Sequence, residues 1–143
     1  MENLKTNITL DFFRISNLLS RYGAQMVADV GLSSIQQWVI LRTIITSGDI
    51  SIGELKEETL VTKQNMTGMI TRLQQLNLVT LFPDPKDKRR TRVKVTAEGH
   101  RVYEQLKSSR TDFNAQTYKI YDDQEILVLS DLLNRLVKHL KED

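Results

Sequence analysis

The sequence predicts a mainly α-helical (α+β) fold with one small β-hairpin set between helices. Three observations predict it. Hydroxyl or carboxylate residues followed three positions later by Gln or Glu recur ahead of apolar segments, the pattern of a helix start. Apolar residues recur at three- and four-residue steps at both ends of the chain. Two short strand-like runs, Leu78-Val79-Thr80-Leu81-Phe82 and Thr91-Arg92-Val93-Lys94-Val95, flank a turn from Pro83 to Arg90 that carries two prolines.

The first helix covers residues 8–29, with Ile8, Phe12, Ile15 and Leu19 on one stripe. Ser33-Ser34-Ile35-Gln36 reads as a capping box opening a helix over residues 33–46, and Ser51-Ile52-Gly53-Glu54 opens a short one over 51–58. Thr62 caps a helix over 62–77 and Thr96 one over 96–119; Asp122, with Glu125 three residues on, caps the last, over 122–141. Leu129, Leu132, Leu133, Leu136 and Leu140 form its stripe. Gly31, Gly48 and the Leu60-Val61 step fall in connections. The two terminal stripes each need a partner, within the chain or in a second copy.

A chain of 143 residues with 40% hydrophobic content is read as one domain with room for a core. No apolar run is long enough to cross a bilayer, and Met1-Glu2-Asn3-Leu4-Lys5 does not resemble a secretory signal, so a cytoplasmic location without membrane attachment is expected. The absence of cysteine excludes disulfides, thiolate metal sites and thiol sensing. His100 and His139 lie far apart, and Asp122, Asp123 and Glu125 fit capping better than metal binding, so no metal and no cofactor is expected. No nucleophile–base pair, Gly-rich phosphate loop or catalytic His pair is present, which argues against an enzyme.

Charge is unevenly placed. Residues 62–95 hold eight basic residues (Lys63, Arg72, Lys86, Lys88, Arg89, Arg90, Arg92, Lys94) against Asp84 and Asp87, a net +6, while the rest has twelve basic against sixteen acidic residues, a net −4. One concentrated basic segment suits a polyanion docked at one place. The short helix, the turn Thr59-Leu60-Val61 and the helix from Thr62 have the spacing of a helix-turn-helix. At 100° per residue, Met66, Met69, Ile70, Leu73 and Leu76 gather on a core face, and Gln64, Thr67, Gly68, Thr71 and Gln75 gather opposite. Gln and Thr can bond base edges, and Lys63 beside a helix N-terminus suits a phosphate. Gly68 costs about 1 kcal/mol against alanine in mid-helix, tolerable where a groove wall comes close.

In the hairpin, Pro83 and Pro85 stiffen the approach to the tip, and Asp87 stands where it can brace one of Lys88, Arg89 and Arg90. Val93 and Val95 alternate with Arg92 and Lys94, so charge lines one strand face. An arginine at such a tip fits a narrow minor groove. A winged helix used only for protein–protein binding is the alternative; it needs neither the +6 segment nor a donor-rich helix face.

The run from Asp84 to Arg90, followed by Val93-Lys94-Val95-Thr96-Ala97-Glu98-Gly99, resembles the wing signature of the MarR family: an Asp-x-x-Asp-Arg-Arg tip, a strand, then Leu-Thr-x-x-Gly. Lys88 and Val95 depart from it conservatively. Leu32-Ser33-Ser34-Ile35-Gln36-Gln37-Trp38 is similar to that family's Leu-Thr-x-x-Gln helix opening, and Thr62 to Thr67 resembles its recognition-helix start. The resemblance implies one winged helix-turn-helix domain over 1–143, with the DNA-binding unit at about 33–99 and dimerisation helices at about 1–30 and 100–143. It implies a homodimer through Ile8, Phe12, Ile15, Leu129, Leu133, Leu136 and Leu140, acting as a repressor on palindromic double-stranded DNA. Thr62, Lys63, Gln64, Thr67, Gly68 and Thr71 would face the major groove. Lys88, Arg89, Arg90 and Arg92 would serve the wing, with Arg89 or Arg90 in the minor groove and Asp87 holding it. A small aromatic or phenolic effector would release the DNA, with Arg14, Tyr22, Gln36 and Trp38 on the segments that would line its pocket.

Overall fold

The computed structural model describes residues 1–59 and 63–142, with Lys63 and Gln64 described by backbone alone. Two compact units divide it, residues 1–108 and 109–142. The first contains α1 (Glu2–Ala28), α2 (Ile35–Ser47), β1 (Asp49–Ser51), α3 (Ile52–Thr59), α4 (Lys63–Gln75), β2 (Val79–Pro83), β3 (Thr91–Val95) and α5 (Ala97–Gln105). The second holds most of α6 (Lys107–Tyr118) and all of α7 (Asp123–Glu142).

Local chemistry sets most boundaries. Ser51 Oγ accepts from the Glu54 N–H at 3.1 Å while Glu54 Oε2 accepts from the Ser51 N–H at 2.9 Å, the reciprocal capping box expected there. Asp122 and Glu125 make the same exchange at 2.9 and 3.0 Å. At α2 the cap is Ser34 instead of Ser33. Ser34 Oγ accepts from the Gln37 N–H at 3.3 Å, and the buried Gln37 exchanges bonds with the Ser33 backbone and hydroxyl at 2.9 Å. The box is displaced because two serines and two glutamines are adjacent, and Gln37 is the one that faces inward.

The helix α4 ends in a Schellman motif: the Leu78 N–H donates to Leu73 O at 2.9 Å, the Asn77 N–H to Gln74 O at 2.8 Å, and Asn77 takes the left-handed conformation, φ 59°. Leu73 and Leu78 both enter the core, the apolar closure such a motif favours.

A three-stranded antiparallel sheet replaces the expected two-stranded hairpin, in the order β1-β3-β2. Ile50 pairs with Val93 on one side, and Leu81 pairs with Val93 on the other. Two strands alone are marginal in water, and β1 closes an edge of β3. Below the sheet and helices lies one core, in which Ile40, Leu41, Ile44, Leu55, Met66, Leu73 and Val93 have no exposed surface. Each such side chain contributes about 1.5–3 kcal/mol by burial. The predicted inner face of α4 is the observed one: Met66, Ile70 and Leu73 are buried, and Met69 and Leu76 pack against them.

Two helix limits differ from expectation. The first helix begins at Glu2, six residues before the expected start, in a polar turn where Thr6 Oγ1 donates back to the Glu2 carbonyl at 3.2 Å. The single helix expected over 96–119 is two, parted at Leu106, which is buried in the first unit while α6 buries no residue. No helix among the described residues is long and apolar enough to cross a membrane.

Candidate nucleic-acid interface

The outer face of α4 carries Thr67, Gly68 and Thr71, all exposed. The Thr71 hydroxyl donates to the Thr67 carbonyl at 2.9 Å, so its oxygen keeps its capacity to accept. A Cβ built on Gly68 meets nothing within 4 Å, so the fold itself does not require glycine there. Thr62 and the turn at residues 60–62 lie outside the described residues, as do the side chains of Lys63 and Gln64.

The wing turn is held by its own carboxylates. Asp84, only 7% exposed, accepts the Lys86 N–H at 2.8 Å on Oδ1, and its own N–H donates to the Arg90 carbonyl at 2.9 Å, closing the loop. Asp87 Oδ1 accepts both the Arg89 N–H and the Arg89 Nε at 3.1 Å, and the Arg90 N–H donates to the Asp87 carbonyl at 2.9 Å. Asp87 thus braces Arg89, whose side chain stands 91% exposed. No ion pair engages Lys88 or Arg90 among the described residues.

Both carboxyls sit below their usual pKa: Asp84 chiefly through the Lys86 N–H and then Arg92, Asp87 chiefly through the Arg89 side chain. A depressed folded pKa contributes stability that is present above the unfolded value and lost as pH falls through the folded one. The turn therefore keeps its charge pattern through neutral and mildly acidic pH.

Arg92 differs from the expected exposed charge stripe. It is drawn inward to Asp49 and Asp84, at 21% side-chain exposure. Lys94 stays exposed, its Nζ 5.5 Å from the centroid of the Phe82 ring.

Between α3, α4 and the wing lies a cleft of about 460 Å³. It brings Thr67 and Thr71 of the helix together with Arg89 and Arg90 of the wing. It also contains Lys56 and Gln74, which the sequence reading did not select. Lys56 is a cation in the last turn of the short helix, a signal the sequence does carry, and Gln74 stands beside Gln75 on the exposed side of α4.

The residues expected at a small-molecule pocket lie on α1 and α2. Arg14 pairs with Asp11 at 2.9 Å on exposed α1, and Tyr22 is 57% exposed. The Gln36 amide donates to Ser20 Oγ at 3.3 Å, tying α2 to α1, and Trp38 packs against the core. No group of three His, Asp or Glu residues suited to a metal occurs among the described residues.

The end helices keep apolar faces open. On α1, Ile8, Phe12 and Ile15 are 47%, 38% and 51% exposed. On α7, which buries no residue, Leu133, Leu136 and Leu140 are 37%, 38% and 64% exposed, and Leu129 is half-buried.

The sequence model of the MarR family matches residues 34–91, from the α2 cap through the wing. The transcriptional activatory protein BadR of Rhodopseudomonas palustris is 32% identical over 136 residues, covering 90% of this chain and 75% of that protein. A cysteine-to-serine variant of MarR from E. coli, solved with operator DNA, matches with a TM-score of 0.83 at 23% identity, over 95% of this chain and 97% of that one. NadR in complex with 4-hydroxyphenylacetate matches with a TM-score of 0.78 at 25% identity, over 92% of each chain.

Proposed function

The chain belongs to the MarR family of transcriptional regulators, and from that premise we propose that it acts in the cytoplasm as a homodimeric repressor of inverted-repeat operators. The observation that carries this reading is the cleft in which the polar face of α4 meets Arg89 and Arg90. The helix reads base edges in the major groove, beginning with Thr67 and Thr71, and Gly68 lets the groove wall approach. The wing supplies charge. Arg89, already braced by Asp87, loses little side-chain freedom on entering the minor groove. Arg90 and Lys88 serve phosphates. A second copy covers the apolar faces of α1 and α7, which are too extensive to leave in water, and gives two winged units for two half-sites about one helical turn apart.

Repression follows when the bound dimer occludes a promoter. BadR carries an activator's name, so a reporter assay fixes the sign separately. The effector read for this chain is a small aromatic or phenolic molecule, the class to which the NadR ligand belongs, with Arg14, Tyr22, Gln36 and Trp38 as its candidate contacts.

Binding isotherms across a salt series test the wing. Each phosphate contact releases counterions, so log affinity falls linearly with log salt. Arg90→Ala is expected to reduce that slope by about one unit per subunit, about two in the dimer, on operator and random duplex alike. Arg89→Ala is expected to give the larger loss of affinity. Asp87→Ala is expected to weaken binding as well, although it removes a negative charge, because Arg89 loses its brace. Simple net-charge attraction predicts the opposite sign, and tighter binding by Asp87→Ala rules the bracing role out.

A further inference from the structure

Arg92 joins three parts of the winged unit. Its Nε donates to Asp49 Oδ1 at 3.0 Å, its Nη2 to the Asp49 carbonyl at 3.1 Å and to the same carboxylate, and its Nη1 to Asp84 Oδ2 at 3.4 Å. Asp49 opens β1 directly after α2 and Gly48, which takes φ 82°. Asp84 opens the wing turn, and its other oxygen holds the Lys86 N–H. One guanidinium on β3 therefore fastens the exit of α2 to the base of the loop that presents Arg89.

This group is not built to meet a phosphate. Two carboxylates and one guanidinium sum to −1, which repels an anion. Four N–H···O bonds occupy most of the donor fork of Arg92. Its side chain is 21% exposed where that of Arg89 is 91% exposed. A rigid planar fork with charge-assisted bonds to two chain segments fixes an angle between them, a task that lysine, a point charge on a flexible stem, does not perform.

We propose that Asp49, Asp84 and Arg92 are positioning residues for the wing: they set the pose of the turn from which Arg89 reaches DNA, and none of the three touches DNA. This rests on the reading of the chain as a DNA-binding regulator with Arg89 in the groove. It assigns a role to Asp49, a residue 43 positions from Arg92 and outside the basic segment.

A double-mutant cycle tests it. Asp49→Asn nearly keeps the shape of the side chain at a position 49% exposed. Affinity for a labelled random-sequence duplex and for a duplex selected by the wild-type protein is measured for Asp49→Asn, Arg89→Ala and the double variant, with thermal midpoints alongside. Asp49→Asn is expected to weaken binding roughly fivefold in the wild-type background and by less than about twofold once Arg89 is alanine, since what Asp49 positions is then absent. Its salt slope stays that of the wild type, because no phosphate contact is lost. A general loss of structure lowers affinity equally in both backgrounds. Equal losses, or a gain in affinity from the removed negative charge, overturn the inference. Arg92→Lys runs the same cycle from the other end with the charge kept, so a poorly folding Asp49→Asn protein does not end the test. Failure of the wild-type protein to bind any duplex overturns the regulator reading and this inference together; wild-type binding with additive losses overturns this inference alone.

Discussion

Leu133→Asp, or Leu136→Asp, is expected to turn the protein into a monomer and to weaken operator binding roughly 100-fold or more. Both leucines belong to the stripe on α7, a twenty-residue helix that buries none of its side chains within the chain. In the proposed dimer a second copy covers that stripe, and two-fold symmetry places each new carboxylate in the seam twice. An unpaired charge there is costly to bury. In the separate chain these positions are 37% and 38% exposed, so the substitution costs a monomer little. Sedimentation velocity and DNA binding should therefore fall together while helical content stays high. The affinity loss is large because two linked winged units bind as one bivalent ligand and a single unit does not. A wild-type protein that sediments as a monomer at micromolar concentration and still binds tightly removes the dimer from the account.

Gly99→Ala is expected to be the most damaging single methyl in the chain. A Cβ at that position falls 2.2 Å from the Leu78 carbonyl oxygen and 2.5 Å from Val95 Cγ1. The same Leu78 carbonyl accepts the Thr96 N–H at 3.0 Å, so it cannot move without loosening the joint between β3 and α5. Thr96 compounds the constraint: its hydroxyl donates to the Asn77 carbonyl at 2.6 Å and accepts the Gly99 N–H at 3.0 Å. Overpacking against backbone of this kind costs about 3 kcal/mol or more, a fall in Tm of about 10 °C for a chain of this size. Gly68→Ala is the matched control. Its Cβ enters open space, and the helix gains about 1 kcal/mol in propensity, so its Tm should rise. If both variants melt alike, the close approach at Gly99 carries no weight in the fold.

What the sequence made legible was local. The boxes at Ser51/Glu54 and Asp122/Glu125 involve partners three residues apart, and they formed as read. The return strand matched its predicted limits because Val93 and Val95 alternate with charge. The wing brace was legible too: Asp87 and Arg89 are two residues apart, and geometry chose Arg89 among the three cations. What escaped depends on distant partners. The strand β1 is three residues long, too short to show alternation, and exists because β3 offers it an edge. Arg92 looked like one more exposed cation because its acceptor Asp49 lies 43 residues away. The break at Leu106 was hidden in an unbroken helical pattern, since only the core decides which way that side chain turns.

Selection of bound duplex from a random-sequence pool by the wild-type protein tests the central claim most directly. The account predicts enrichment of an inverted repeat, its half-sites about one helical turn apart, with affinity falling linearly in log salt. Recovery of unenriched sequence, or binding that salt does not weaken, would contradict it.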